Sequence, residues 1–275
     1  DYVIVAEYDA DQMFALNSST NNYLTIDTLV NHIFKNGPIP GIAEGVVYDY
    51  ISMIKHYGFD KMRDKDDLHE IWVFNHPACG MYESRMIGDN AFWINSPGIT
   101  KEKGAPCKEL LSVMFCNYER NLACALESYS HRFESTMMKV YGWWDYENRP
   151  TKADLTTWDK YTGYAKIYDK YDPGMSHVGN VHFPPNGTHD YDFVNDTKVM
   201  SYADEWLYDY PEIKEKKARL INHEEWGDHT GYMKWWLGHM PHFKGISPYD
   251  NKLNNWWHYV VNYNAAVALE KELNK

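Results

Sequence analysis

The stretch Leu110-Leu111-Ser112-Val113-Met114-Phe115-Cys116-Asn117 decides how this chain is expected to fold. A short, almost wholly apolar run has the look of a strand buried on both faces. Asn117 then reads as a helix N-cap, because its side-chain oxygen can accept from an unpaired N–H of the first turn. Beyond it, Leu122, Leu126, Tyr129, Phe133 and Met137 recur at helical spacing to about Val140. Upstream, Glu70-Ile71-Trp72-Val73-Phe74-Asn75 reads as a second strand that enters a loop at His76-Pro77. Val3-Ile4-Val5-Ala6 reads as a third. Ile26 to Phe34 and Ile42 to Tyr57 carry helical periodicity, and Asn36-Gly37-Pro38 stops the first of them. Strands alternating with helices predict an α/β fold, a mostly parallel sheet flanked by helices.

From Tyr141 onward the pattern changes. Trp, Tyr, Asp, Asn and Gly dominate, and periodicity is weak until a terminal helix over Asn255 to Leu273. Residues 1–275 are therefore read as a single α/β domain. Residues 1–140 would form its sheet-and-helix core, and 141–275 a loop-rich, Trp-rich cap. The 44% hydrophobic and 16% aromatic content is enough to build a core, which excludes intrinsic disorder. With 27 Lys plus Arg against 39 Asp plus Glu, the net charge is −12. That balance lacks the basic footprint of a nucleic-acid binder. No apolar run approaches the roughly 20 residues of a membrane span.

An exported protein is expected. The chain begins Asp1-Tyr2-Val3-Ile4 without Met, as a mature protein relieved of its signal peptide would. Three glycosylation sequons, at Asn17, Asn186 and Asn195, agree with that. Four cysteines suit a disulfide framework, with Cys79–Cys107 and Cys116–Cys124 as the favoured pairs. No CxxC pair occurs, which argues against a thiolate zinc site.

Chemistry is expected beyond the carboxyl ends of the two central strands, where open α/β sheets bind ligands. Both strands run into polar segments there. One carries Glu83 and Arg85, the other Glu119 and Arg120, and neighbouring strands would bring these segments to one crevice. The helix after Asn117 presents Glu127, His131 and Glu134 at i, i+4 and i+7, within about 60° of one another. Such a face, separate from the apolar stripe, suits either a metal ion or a hydrogen-bonded network. Arg132 would point away from it. His182 lies in a second His-rich block, Met175 to Gly187, where it shares a strand face with Asn180. His177, five residues earlier, would face the other way. Trp235, Trp236, Trp256 and Trp257, among His and Asn residues, suit sugar stacking or a Trp-packed core equally. No GxSxG elbow, phosphate loop, GxGxxG or HExxH is present.

Taken together, several blocks resemble a family of largely uncharacterised secreted bacterial and fungal proteins. They are Glu83-Ser84-Arg85-Met86, Ala91-Phe92-Trp93-Ile94-Asn95-Ser96-Pro97, Asn117-Tyr118-Glu119-Arg120 and His131-Arg132-Phe133-Glu134-Ser135. Gly179-Asn180-Val181-His182-Phe183-Pro184-Pro185-Asn186, His239-Met240-Pro241 and Asn254-Asn255-Trp256-Trp257 continue the set. The resemblance runs from about residue 65 onward and implies an exported, single-unit protein. It implies no reaction. Where this chain has Glu127 the family often has His, and where it has Ile94 the family often has Cys.

The leading expectation is a secreted, metal-dependent hydrolase acting on an extracellular polymer, a glycan before a peptide. Glu127, His131, Glu134 and His182 would hold a divalent metal, with zinc the candidate ion. Glu83 or Glu119 would serve as general base, and Arg85 or Arg120 would stabilise developing negative charge. Asn95, Asn180, Trp235 and Trp256 would contact substrate. A metal-free version would use Glu83 and Glu119 as acid and base across a glycosidic bond. The alternative is a non-catalytic carbohydrate-binding or wall-associated protein with the four indoles as its platform.

Overall fold

The computed structural model describes residues 2–10, 12–28, 30–31, 45–142, 144–145 and 148–275. The chain forms two compact units, Asp1–Asn121 and Leu122–Lys275.

In the first unit, Ala15–Asn17 (β1) and Val46–Tyr48 (β2) pair antiparallel as a short ribbon. Asp49 then caps Tyr50–Tyr57 (α1), its carboxylate accepting from the Ser52 N–H at 3.0 Å. Gly58, at φ +69, ends α1 in the left-handed conformation and opens Phe59–Asp64 (α2). The two apolar runs are the strands they resemble. Glu70–Asn75 (β3) and Leu111–Asn117 (β5) pair in parallel, from Glu70 opposite Ser112 to Asn75 opposite Asn117. Between them in sequence, Ser84–Ile87 (β4) pairs antiparallel with the other edge of β5. Ile71, Leu111 and Val113 meet Met53, Ile54 and Phe59 of the helices in one apolar core.

The second unit begins with the longest helix, Leu122–Tyr141 (α3), which buries Tyr129, Phe133 and Met137. A capping box between Thr156 and Asp159 starts Thr157–Tyr161 (α4), and Ala165–Tyr168 (α5) follows. Met175–Ser176 (β6), Val199–Ser201 (β7) and Arg219–Ile221 (β8) form a small sheet, with one pair parallel and the other antiparallel. Ala203–Tyr208 (α6) lies between β7 and β8, and His229–Gly238 (α7) follows them. His242–Ile246 (β9) and Leu253–Asn255 (β10) make an antiparallel ribbon. The expected terminal helix is two: Trp257–Val261 (α8) and Tyr263–Leu273 (α9), restarted at Asn262, whose side chain accepts from Ala265. Trp158, Tyr161, Trp206, Trp236 and Trp256 are all fully buried, with ring centroids 5.1 to 6.4 Å apart in successive contacts. They are the core of this unit.

Four expectations need correction. The mostly parallel sheet flanked by helices is absent: helix takes 35% and strand 16%, and the strands belong to small mixed and antiparallel sheets. Parallel layering needs a run of βαβ units, whereas β5 gains an antiparallel neighbour on its second edge. Val3-Ile4-Val5-Ala6 is no strand, and its side chains are exposed, pairing with no strand among the described residues. Helix α3 starts at Leu122, because Asn117 ends β5 and closes a turn by accepting from the Glu119 N–H at 2.9 Å. The cysteines form no disulfide: Cys79 and Cys107 are packed as thiols in the first core. Most of the helix expected over Ile26 to Phe34, and the start of the one expected from Ile42, lie outside the described residues. No helix among the described residues is long and apolar enough to cross a membrane.

Two of the three sequons are spoken for. The Asn186 amide is buried and donates to the Asn195 and Thr197 carbonyls, each at 2.8 Å. Asn195 donates its own amide to the Asp192 carboxylate at 2.7 Å and to the Asn186 carbonyl at 3.1 Å. The Asn17 side chain accepts from the Ser19 and Thr20 N–H groups on an exposed turn, so its oxygen rather than its nitrogen is engaged there.

Candidate metal centre

Three segments of the second unit converge on one place. Helix α3 supplies Glu127 and His131 one turn apart, as the spacing predicts. The loop after β6 supplies His182. The first residue of α7 supplies His229.

The loop is built by residues that surround His182 in sequence. Asn180 and Phe183 exchange main-chain hydrogen bonds at 2.9 and 3.2 Å, and the Asn180 side chain accepts from the His182 and Phe183 N–H groups. This Asx arrangement makes a tight turn that lifts the imidazole out. Gly179 stands at φ +83, where a Cβ would lie 2.4 Å from the Phe183 carbonyl oxygen. Only glycine fits there. Helix α7 pins the turn from outside: the Trp236 indole donates to the Gly179 carbonyl at 2.9 Å and the Tyr232 hydroxyl to the Asn180 carbonyl at 2.8 Å. The same helix, capped by Asp228 on the Gly231 N–H, places His229. The His229 ring stacks on Phe193 at 4.4 Å.

Three ligand atoms, one each from Glu127, His131 and His182, lie within 4.8 Å of one another. The two imidazole Nε2 atoms are 3.1 Å apart. Glu127 Oε1 is 3.8 Å from the first and 3.7 Å from the second. Its other oxygen, Oε2, is 3.2 Å from His229 Nε2, a buried atom that makes no hydrogen bond. All four side chains are half-buried.

A carboxylate faces the far nitrogen of each imidazole, within hydrogen-bond reach for His131 alone. His131 Nδ1 lies 3.1 Å from Glu134 Oε2, and His182 Nδ1 lies 3.6 Å from Asp190 Oδ1. A proton on His131 Nδ1, favoured by Glu134, leaves the His131 Nε2 lone pair facing His182 Nε2. Two ring nitrogens at that distance, beside a carboxylate, are held together by a proton or a cation between them. Ligand atoms about 2.0–2.1 Å from a tetrahedral zinc stand about 3.3 Å apart, close to the separation of the two nitrogens. Burial alone would raise the Glu127 carboxyl, but His131, His182 and the nearby His229 outweigh it and hold it well below the ordinary carboxylate range. Burial lowers His229, against the pull of the Glu127 carboxylate. Anionic Glu127 and neutral imidazole are the forms that ligate metal.

The other residues singled out from the sequence fall into place differently. Glu134 is not among the three converging ligands. It is buried, accepting from the Val181 N–H at 3.0 Å through one oxygen and facing His131 through the other. Asn180 is buried and shapes its turn, with its oxygen spent on main-chain groups. His177, expected on the opposite face from His182, is fully buried and accepts from the Trp206 indole at 2.9 Å. Arg132 does point away, inward, bonding the Val260 carbonyl. Trp256 has no accessible face, nor has Trp236, whereas Trp235 and Trp257 are partly buried. The four-indole platform does not exist.

Glu83, Arg85, Asn95, Glu119 and Arg120 belong to the first unit. Parallel pairing of β3 and β5 does bring the two polar segments to the same strand ends, and the Tyr118 N–H reaches the Asn75 carbonyl. Glu83 accepts from the Asn95 amide, and Arg85 lies against the Tyr50 and Tyr82 rings while donating to the Pro97 carbonyl at 3.1 Å. These contacts tie loop 94–97 to β4. Glu119 and Arg120 are exposed in the turn after β5.

Sequence reasoning passed over His229. Its one local signal is the preceding Asp228, an N-cap residue, which places a histidine in the first turn of a helix. No family model, curated protein or solved structure matches the chain.

Proposed function

We propose that the second unit carries a hydrolase centre in which Glu127, His131 and His182 hold one divalent metal ion, zinc being the candidate. The observation that carries this reading is the convergence of two imidazole nitrogens and a carboxylate oxygen within 4.8 Å of one another, with Glu134 beside His131 and the Asn180 turn presenting His182. Two nitrogens and one oxygen are a donor set that zinc accepts, and three protein ligands leave a fourth position for water. An ion held by Glu127, His131 and His182 would supply a water acidified to a pKa of about 7, able to attack a carbonyl carbon while the leaving group departs with a proton from solvent. This chemistry suits an ester or amide on an extracellular polymer, with a glycan first in line. The absence of a basic footprint in the composition agrees with an uncharged or cationic substrate. The family resemblance, an exported protein, is consistent with such a substrate.

Cobalt titration of chelator-treated protein tests the metal. Wild type should bind a single equivalent, and Glu127→Gln and His182→Asn should each weaken binding by about 100-fold or more. Hydrolysis of a chromogenic ester should disappear with chelation and return with metal. Absence of cobalt binding by folded wild-type protein would refute the reading.

A further inference from the structure

Tyr191 stands at the rim of the centre in a conformation that an aromatic residue rarely adopts. Its φ is +62, in the left-handed region that non-glycine residues seldom occupy. The surroundings hold it there. Its N–H donates to the His182 carbonyl at 2.9 Å, and the Phe193 N–H donates to its own carbonyl at 2.8 Å. Asp192, next in sequence, accepts from the Thr188 N–H and hydroxyl and from the Asn195 amide, which locks the loop from the other side. The result is a tyrosine half-exposed to solvent, its ring 4.6 Å from the His182 ring and its hydroxyl 3.2 Å from His182 Nε2.

We infer that Tyr191 is a catalytic residue, a hydrogen-bond donor to the oxygen that becomes negatively charged on a substrate carbonyl bound beside the ion. This rests on the metal reading above. The hydroxyl and the ion compete for the same Nε2 lone pair. An ion on that nitrogen would release the phenol, held at the rim by its loop, to donate to an oxygen of a molecule bound there. A donor fixed in advance at a developing oxyanion needs no reorganisation during reaction, which is what makes such groups effective. Backbone strain retained at an exposed aromatic next to metal ligands is the pattern expected of a positioned functional group. The substrate class follows: a carbonyl compound, ester or amide, whose tetrahedral intermediate carries an oxyanion.

Acetohydroxamate, a metal-binding oxyanion, is the probe, with cobalt-loaded wild type and Tyr191→Phe compared by titration of the visible spectrum. The variant keeps the ring and loses the hydroxyl. Cobalt affinity should stay within about twofold, while hydroxamate binding should weaken about 10- to 100-fold. In ester hydrolysis kcat should fall about 100-fold with KM little changed. Equal hydroxamate affinity in the two proteins, or no hydroxamate binding by either while cobalt binds normally, overturns the role of Tyr191 and leaves the metal centre standing. Failure of wild type to bind cobalt removes both.

Discussion

At the scale of single residues, the centre depends on positions that carry no chemistry themselves. Gly179 is one. A methyl group there would collide with the Phe183 carbonyl, and the φ of +83 would be strained besides. Gly179→Ala should therefore destabilise the protein by about 2 kcal/mol or more in urea unfolding. Because the collision falls on the turn that carries His182, cobalt affinity should drop with stability. A variant as stable as wild type would mean that the turn is less tightly built than described. The Glu127–His131 pair on α3 was readable in the sequence, because helical spacing is local and the two lie one turn apart. His182 was named from its block as a further ligand beside His131, on residue type alone. Nothing in the spacing of residues 51 apart says that they meet. His229 is about a hundred residues from Glu127, and only the packing of α7 against α3 brings it there.

At the scale of elements, strands β3 and β5 were legible as uninterrupted apolar runs, and α3 as a sustained helical period. Strand β4 was missed because Ser84-Arg85-Met86-Ile87 is short and half polar, with two apolar residues at its end. That miss made the sheet look parallel. The segment after α6 shows a different device. The Glu205 carboxylate accepts from four consecutive main-chain N–H groups, those of Lys214, Glu215, Lys216 and Lys217, at 2.6 to 2.9 Å. This gathers the strand-less stretch around one buried charge and aims Glu215 at His177, with the Tyr168 hydroxyl donating to it at 2.9 Å. His177 beside it, with Tyr168 and Lys160, outweighs burial and lowers the Glu215 carboxyl from 4.5 to about 2. A carboxyl depressed in the folded state stabilises the fold above its unfolded pKa and loses that contribution as protons bind. Glu215 should therefore help fully above about pH 4.5 and lose its effect between there and about pH 2. Urea unfolding of Glu215→Gln across that window should show a shallower fall of stability with acid than wild type. Parallel slopes for the two proteins would contradict this account.

At the scale of the whole molecule, the Trp-rich second half was legible as composition and illegible as structure. Its rings pack across long sequence separations, so no period of two or 3.6 marks them. Two of the indoles that suggested a sugar platform, Trp236 and Trp256, lie in the interior of the second unit. The thiols follow a similar logic, since core burial rather than pairing accounts for them. Burial pushes Cys79 and Cys116 up to about 11 and Cys107 up to about 12. At pH 8 these three remain protonated and shielded, and only the thiolate reacts. Native protein treated with iodoacetamide at pH 8 should leave Cys79, Cys107 and Cys116 unlabelled, while denatured, unreduced protein should expose all four cysteines. A denatured protein that yields fewer than four reactive thiols would restore a disulfide.

The nested indoles have an optical consequence. Trp158, Trp206, Trp236 and Trp256 sit ring against ring with fixed mutual tilts. Chromophores so close and so rigid share their excited states. The far-ultraviolet circular dichroism of this protein therefore carries an exciton signal superimposed on the peptide bands, and it vanishes when the interior melts. A helix fraction fitted to that spectrum with backbone references alone will be wrong even for a perfectly folded sample.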